Sequence, residues 1–328
     1  MRALVCKAFG VPGTRPPELA LEDIPPPQPA ADEVVVQIRA ASANFPDLLM
    51  LDDRYQHRPT LPFVPGYEFA GVVKSVGAGV TGIAPGDTGV AITRSGAFAE
   101  QAAVKADRFW KLPAPIDMRH AAAFPLAYGT SYHALKDRAR LQPGETLLVL
   151  GAAGGVGLAG VQIGKLMGAR VIACASSAAK LETCRAHGAD ELIDYGTEDL
   201  RGAIRRVTGG RGVDVVLDPV GGPYSEAALR SLAWDGRLLV VGFTAGEIPR
   251  IPLNLPLLKG AWIVGVSWDT FSRRFPEAGA RNVADMARWI ADGRLVPAIG
   301  AEYPLERAEL ALRDIRERRV QGKVVVVT

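Results

Sequence analysis

The sequence is poor in metal- and redox-active side chains: its 328 residues include 3 cysteines and 4 histidines. Cys6, Cys174 and Cys184 stand at no ligand or redox spacing, and their odd number closes no disulfide framework, so they suit a reducing cytoplasm. A catalytic zinc takes about three protein ligands and a structural zinc four. His57, His120, His133, His187 and the cysteines form no close pairs from which such a set would be built. Charge of one sign is missing as well. The 38 basic and 35 acidic residues leave a net charge of +3 and are interspersed, which argues against a nucleic-acid stripe or a polybasic membrane anchor. The longest apolar run, Leu147 to Val161, is shorter than the roughly 20 residues of a membrane span. It is also broken by glycines at 151, 154, 155, 157 and 160. At the N-terminus, Lys7 arrives before an apolar core of signal-peptide length can form, so no export signal is expected.

What is present is an ordinary soluble composition, 48% hydrophobic with 36 Gly and 24 Pro, and a length that suggests two domains. Up to about Leu112 the chain is strand-like and heavily punctuated, as in Glu33 to Arg39 and Gly71 to Val76, which points to an irregular β-rich domain. After Pro125 the rhythm changes to βαβ units, which imply a parallel sheet. Strands are expected at 146–151, 170–175, 191–194, 213–218, 237–242 and 261–266, with helices near 155–168, 178–187, 199–208 and 224–233. From Trp268 come an amphipathic stretch at 281–292, a helix at 306–319 and a closing strand, Lys323 to Val327. That strand has no partner in the segment before it, so it is expected to return to the N-terminal β-rich domain.

The clearest motif is Leu147-Leu148-Val149-Leu150-Gly151-Ala152-Ala153-Gly154-Gly155-Val156-Gly157, a buried strand running into a glycine turn and an apolar helix. Such a turn must bend tightly, let a pyrophosphate approach the backbone and bring helix close to strand, and each step needs a residue without a side chain. The helix N-terminus then offers free N–H groups to the phosphates. Selection of NAD usually places a carboxylate about 20 residues on, to hold the ribose 2′-hydroxyl. Here that segment is Ala175-Ser176-Ser177-Ala178-Ala179-Lys180. Hydroxyls and an ammonium suit a 2′-phosphate, so NADPH is the expected cofactor. The structural alternatives are a plain N-cap for Ser177 and a solvated first-turn residue for Lys180.

The motifs Ala43-Asn44-Phe45-Pro46-Asp47, Leu61-Pro62-Phe63-Val64-Pro65-Gly66-Tyr67-Glu68, Tyr128-Gly129-Thr130, the glycine turn, Asp218-Pro219-Val220-Gly221-Gly222, Val241-Gly242-Phe243 and Gly322-Lys323-Val324 span nearly the whole chain. Together they resemble the zinc-independent quinone oxidoreductases, the zeta-crystallin-like branch of the medium-chain dehydrogenase/reductase superfamily. The resemblance implies an α/β fold: a GroES-like β-rich catalytic domain from 1–124 and 268–328, and a Rossmann doubly wound parallel sheet from 125–267. It also implies homodimers joined through the Rossmann domains. In zinc-dependent relatives, ligands occupy the positions of Asn44 and Tyr67, and the four-cysteine lobe has no counterpart near Ile92 to Gly96.

By the same resemblance, Asn44, Asp47 and Tyr55 form the catalytic pocket. Asn44 would donate to a quinone oxygen, Tyr55 would donate or stack, and Asp47 would orient its neighbours. Structural alternatives stay open: Asn44 as a helix cap, Asp47 as a first-turn charge, Tyr55 as a packed loop aromatic and Glu68 as a satisfied buried carboxylate. Related enzymes carry a tyrosine two residues after Asp47, where this chain has Leu49. Beside Gly151, Ala153, Gly154, Gly155, Val156 and Gly157, the implied cofactor contacts are Thr130, Ser176, Ser177, Lys180, Tyr195, Gly242, Phe243 and Lys323. The expected activity is NADPH-dependent hydride transfer to a quinone. Two alternatives remain: reduction of an α,β-unsaturated carbonyl or enoyl thioester, and a low-turnover, crystallin-like nucleotide-binding protein.

Overall fold

The computed structural model describes residues 1–113 and 115–328. The first strands are β1 (Arg2–Ala8), β2 (Glu18–Asp23), β3 (Glu33–Ala43), β4 (Glu68–Val76), β5 (Thr88–Ile92), β6 (Gln101–Lys105) and β7 (Phe109–Lys111). Next come β8 (Thr146–Leu150), β9 (Arg170–Ala175), β10 (Glu191–Asp194), β11 (Val213–Asp218), β12 (Leu232–Val240) and β13 (Trp262–Gly265). β14 (Ile299–Pro304) and β15 (Lys323–Val327) are the last two strands. The chain divides into two compact units, Ala127–Phe271 and Met1–Leu126 with Ser272–Thr328.

In the unit Ala127–Phe271, six strands form a sheet in the order β10-β9-β8-β11-β12-β13, and every pairing is parallel. Counted within the unit this is 3-2-1-4-5-6, the dinucleotide-binding order, whose switch point lies between β8 and β11. The central strands are buried, Thr146–Leu150 along its whole length and Val213–Asp218 except at Asp214, because helices cover both faces of such a sheet. One boundary differs from the expected pattern. The helix Tyr224–Arg230 stops early and β12 already begins at Leu232. The register slips between Val213 and Val215 opposite a kink containing Asp235 at φ 61°, a left-handed conformation that helical periodicity does not signal.

In the other unit, seven strands form one sheet: β14-β15-β3-β4-β5-β7 in order, with β6 also pairing β3, while β1 and β2 form a separate ribbon. The closing strand β15 pairs antiparallel with the end of β3, Val324 opposite Ala43 and Val327 opposite Ala40. Its four buried residues, Lys323 to Val326, include one charge. The expected amphipathic stretch is the helix Pro276–Ala291, which begins earlier because Pro276 occupies its first turn. The next helix is Ala308–Arg316, shorter than the 306–319 expected. A bidentate Arg316–Asp52 pair at 2.8 and 2.9 Å ties it to the end of the helix Phe45–Leu51.

Candidate active and cofactor site

The glycine turn sits at the carboxyl end of β8, and its glycines answer to different demands. Gly151 has φ 58°, a conformation side chains rarely adopt. A Cβ on Gly157 would lie 2.2 Å from the Gly151 carbonyl oxygen, so the helix Gly155–Leu166 approaches the strand only because that atom is missing. Gly154 is different. It is exposed, its φ is −79°, and an added Cβ would meet the Gly151 oxygen at an ordinary 3.4 Å. Nothing inside the unit requires a glycine there, and the bare backbone leaves the surface at the head of the helix open. Ala153 is buried under the turn, while Gly155 and Val156 are half-buried at the start of the helix. A dinucleotide pyrophosphate fits this cradle.

The neighbouring strand ends supply the rest. Beyond β9, Ser176 is exposed, Ser177 is the N-cap of the helix Ala178–Ala186 without a side-chain cap bond, and Lys180 Nζ lies 3.3 Å from Ser176 Oγ. Tyr195 follows β10, its N–H donating to Ala175 O at 3.1 Å and its ring 4.5 Å from that of Tyr224. The first turn of the helix after β9 holds no acidic residue. Ser176, Lys180 and Tyr195 thus stand at adjoining strand ends, a donor-rich corner that accommodates a dianion.

Thr130 is half-buried in the helix Ala127–Tyr132. That helix is docked on the glycine-turn helix by Ser131 Oγ donating to Val156 O at 2.8 Å and Tyr128 OH donating to Gln162 at 2.7 Å. On the other side of the switch point, Asp218 accepts from the N–H groups of Val220 and Gly221 at 2.9 and 2.8 Å and from the Ser225 hydroxyl. Gly242 runs beside this loop, its N–H 3.3 Å from Asp218 O. Phe243 packs on Gly221, where a Cβ would meet its ring at 2.8 Å. Asp218, Ser225, Phe243 and Ile248 help line a mostly apolar cavity of about 210 Å³. The glycine turn, the donor-rich corner and this loop all follow carboxyl ends of parallel strands, where such folds bind ligands.

In the β-rich unit, three strand ends bring Asn44, Glu68 and Lys323 together. Ser42 of β3 pairs with Glu68 of β4, and Val324 of β15 pairs with Ala43, which sets Lys323 beside Asn44. Glu68 is fully buried and Lys323 only 3% exposed. Lys323 Nζ donates to Glu68 Oε1 at 3.0 Å, to Ala43 O at 3.4 Å and to Asn44 Oδ1. The Asn44 amide donates to Glu68 Oε1 at 2.8 Å and to Ser42 O at 3.0 Å. Glu68 Oε2 accepts from the Leu126 N–H at 2.7 Å.

This arrangement engages the side chains of Asn44 and Lys323 within their own unit. Both amide hydrogens of Asn44 are spent inside the protein, which leaves none for an acceptor oxygen. Lys323, expected beside the cofactor, directs its three hydrogens into its own unit. Asp47, fully buried, accepts the Asn44 backbone N–H at 2.8 Å through Oδ2, half of a capping box at the head of Phe45–Leu51. Burial pushes its carboxyl up to about 7, against the pull of the Asn44 N–H and of the Lys323 charge; Glu68 adds to the rise and the Gly66 N–H opposes it more weakly. Tyr55 is half-buried, edge-on to Tyr67 with ring centroids 6.3 Å apart.

Glu68, weighed from the sequence as a structural carboxylate, is such a carboxylate, and it is also the centre of the cluster. Its partner lies 255 positions away, beyond any local pattern. The three cysteines are buried. Burial pushes the Cys6 thiol up to about 11 and the Cys184 thiol up to about 12, far from a reactive thiolate.

A parallel sheet in dinucleotide order with a glycine cradle at its switch point defines a dinucleotide-binding fold. Comparison with known proteins agrees: the alcohol dehydrogenase GroES-like domain model matches residues 30–114 and the zinc-binding dehydrogenase model residues 155–284. A quinone oxidoreductase-like protein 2 homolog of Nematostella vectensis is 36% identical over 100% of this chain and 89% of that protein. The quinone oxidoreductase of Rattus norvegicus is 33% identical over 100% of this chain and 98% of its own. The crystal structure of Escherichia coli quinone oxidoreductase complexed with NADPH superimposes with a TM-score of 0.92 at 30% identity, covering 100% of both chains. The chain belongs to the zinc-independent quinone oxidoreductase branch of the medium-chain dehydrogenase/reductase superfamily, and is an oxidoreductase with a Rossmann domain and a GroES-like domain.

The name of the second family model raises the question of zinc, and the residues here do not fit one. The two positions that carry ligands in zinc-dependent relatives hold the buried ring of Tyr67 and an amide whose oxygen already accepts from the Lys323 ammonium. The nearby carboxylate is already paired with an ammonium, and a second cation beside it would meet like charge. Among the described residues no group of three or more His, Cys, Asp or Glu is placed to hold a metal.

Proposed function

We propose that this protein is an NADPH-dependent quinone oxidoreductase that transfers hydride to its acceptor without a metal. The observation that carries this reading is Gly154, a glycine at the phosphate cradle that the fold itself does not need. When bound, the reduced nicotinamide supplies the hydride. The chain's part is to seat the pyrophosphate on the 151–157 turn and the 2′-phosphate at Ser176, Ser177, Lys180 and Tyr195, and to flank the nicotinamide with Thr130, Gly242 and Phe243. The acceptor pocket is assigned to Asn44, Asp47 and Tyr55. Because the Asn44 amide hydrogens are spent, Asn44 and Asp47 form a fixed wall, and Tyr55 lines the pocket to donate to the acceptor or stack on it. A quinone suits so modest a donor set, since its reduction yields an aromatic hydroquinonate that needs only protonation.

The same reading includes a homodimer through the Rossmann domain. β13 ends its sheet, and Trp234, Leu253, Leu257, Leu258 and Trp262 are 61 to 81% exposed nearby in sequence along β12, β13 and the helix Asn254–Lys259. A sheet edge flanked by large exposed apolar side chains fits a second copy of itself. Steady-state NADPH oxidation with quinones against enals and enoyl thioesters tests the activity. Turnover restricted to enals or thioesters would replace the acceptor, and NADPH binding without turnover on any of them would leave a nucleotide-binding protein. Light scattering tests the assembly, and a mass of one chain would remove the dimer.

A further inference from the structure

We propose that Lys323 is a positioning residue for the acceptor pocket: its buried ammonium holds the Asn44 carboxamide in one orientation and thereby fixes the polar wall at the head of the helix Phe45–Leu51. The inference deepens the functional reading above, on which its acceptor readout rests.

The argument starts from donor and acceptor counts. An asparagine side chain presents one oxygen and two N–H groups, and rotating it by half a turn exchanges them. In the orientation present, the oxygen faces the Lys323 ammonium, and the two N–H groups face Glu68 Oε1 and Ser42 O. In the rotated form, amide hydrogens would face an ammonium, and the oxygen would face a carboxylate and a carbonyl. All three contacts would be repulsive, and the low dielectric of a buried site strengthens that repulsion. Lys323 supplies the donor in this set and also neutralises Glu68, whose charge would otherwise be buried alone. The ammonium thus fills an oxygen-lined site of Ala43 O, Asn44 Oδ1 and Glu68 Oε1 as a cation tethered to the chain. Sheet topology makes it permanent, because β15 is bonded to β3 from Val324 onward.

The test compares the wild type with Lys323→Met, Glu68→Gln and the double variant Lys323→Met/Glu68→Gln. The single Lys323→Met leaves Glu68 unpaired and can fail to fold; the double variant removes both charges and keeps an acceptor oxygen at position 68. The chain contains three asparagines, Asn44, Asn254 and Asn282, so selective 15N labelling reports Asn44 directly, assigned by its loss in Asn44→Ala.

In the wild type the Asn44 side-chain protons should be resolved and slow to exchange. In the double variant they should exchange at least about tenfold faster, as expected for loss of a charge-assisted bond. Its kcat with quinone should fall by about fivefold or more while the NADPH Kd stays within about threefold. A double variant with unaltered Asn44 protection overturns the proposal, whatever its activity. Wild-type kcat in a double variant of wild-type Tm reduces the pair to a structural role and also overturns it. A loss of NADPH affinity of about tenfold with unchanged kcat would return Lys323 to the cofactor. Absence of quinone turnover in the wild type would instead defeat the functional reading, and the Asn44 exchange would still decide the orientation lock.

Discussion

Lys323 Nζ and Glu68 Oε1 lie 3.0 Å apart with both side chains withdrawn from solvent, 3% and 0% exposed. Breaking a buried pair from one side leaves an uncompensated charge and typically costs about 3–5 kcal/mol, whereas removing both charges costs far less. In urea denaturation, Lys323→Met should therefore be strongly destabilised and Lys323→Met/Glu68→Gln much less so. Additive losses in the two single variants would show that the pair carries no coupling.

Asp47 gives the protein a pH dependence of defined sign. Its folded-state carboxyl lies at about 7, against about 3.9 for an unfolded aspartate. The folded state therefore holds more protons than the unfolded between those values, and stability falls as pH rises through this window, then levels off. Asp47→Asn removes the buried charge while keeping an oxygen for the Asn44 N–H. Its Tm should exceed that of the wild type by a margin that opens between about pH 4 and pH 7 and is constant above. Parallel Tm profiles for the two proteins would show that Asp47 is ionised without penalty.

Substitutions in the glycine turn test folding and binding separately. At Gly157 an added Cβ would sit 2.2 Å from backbone oxygen, so Gly157→Ala should cost about 1–3 kcal/mol of stability. Gly154→Ala meets only a 3.4 Å contact and should change stability by less than about 1 kcal/mol. It should nonetheless weaken NADPH binding in a fluorescence titration. Unchanged affinity in Gly154→Ala would move the pyrophosphate away from this turn.

At the end of β9, Lys180 reaches Ser176 Oγ with no acidic residue in the first turn of its helix. Lys180→Glu should narrow or reverse a preference for NADPH over NADH, because a charge-assisted contact is worth about 1.5–3 kcal/mol, roughly ten- to hundredfold in affinity. Equal binding of the two cofactors by the wild type would assign Lys180 to the solvent.

The parallel sheet was legible because strands such as Thr146–Leu150 and Arg170–Ala175 are short, largely apolar runs separated by helix-length segments, whereas the short helix Asn254–Lys259, with Pro256 inside it, was not expected. β12 escaped in part, since its start depends on a kink at Asp235 that pairs with a register slip in β11. In the candidate site, Asn44, Asp47 and Lys323 could be named from motifs, but their roles could not. Whether an amide hydrogen is spare depends on what stands opposite it.

Local order in the chain determined the glycine turn, the donor-rich segment after β9 and the apolar closing strand, because these follow from residue types a few positions apart. Tertiary structure alone decided that Lys323 meets Glu68 and Asn44, 255 and 279 positions away. That meeting exists because β3 lies between β4 and β15, and burial makes a charge or amide left unpaired there costly.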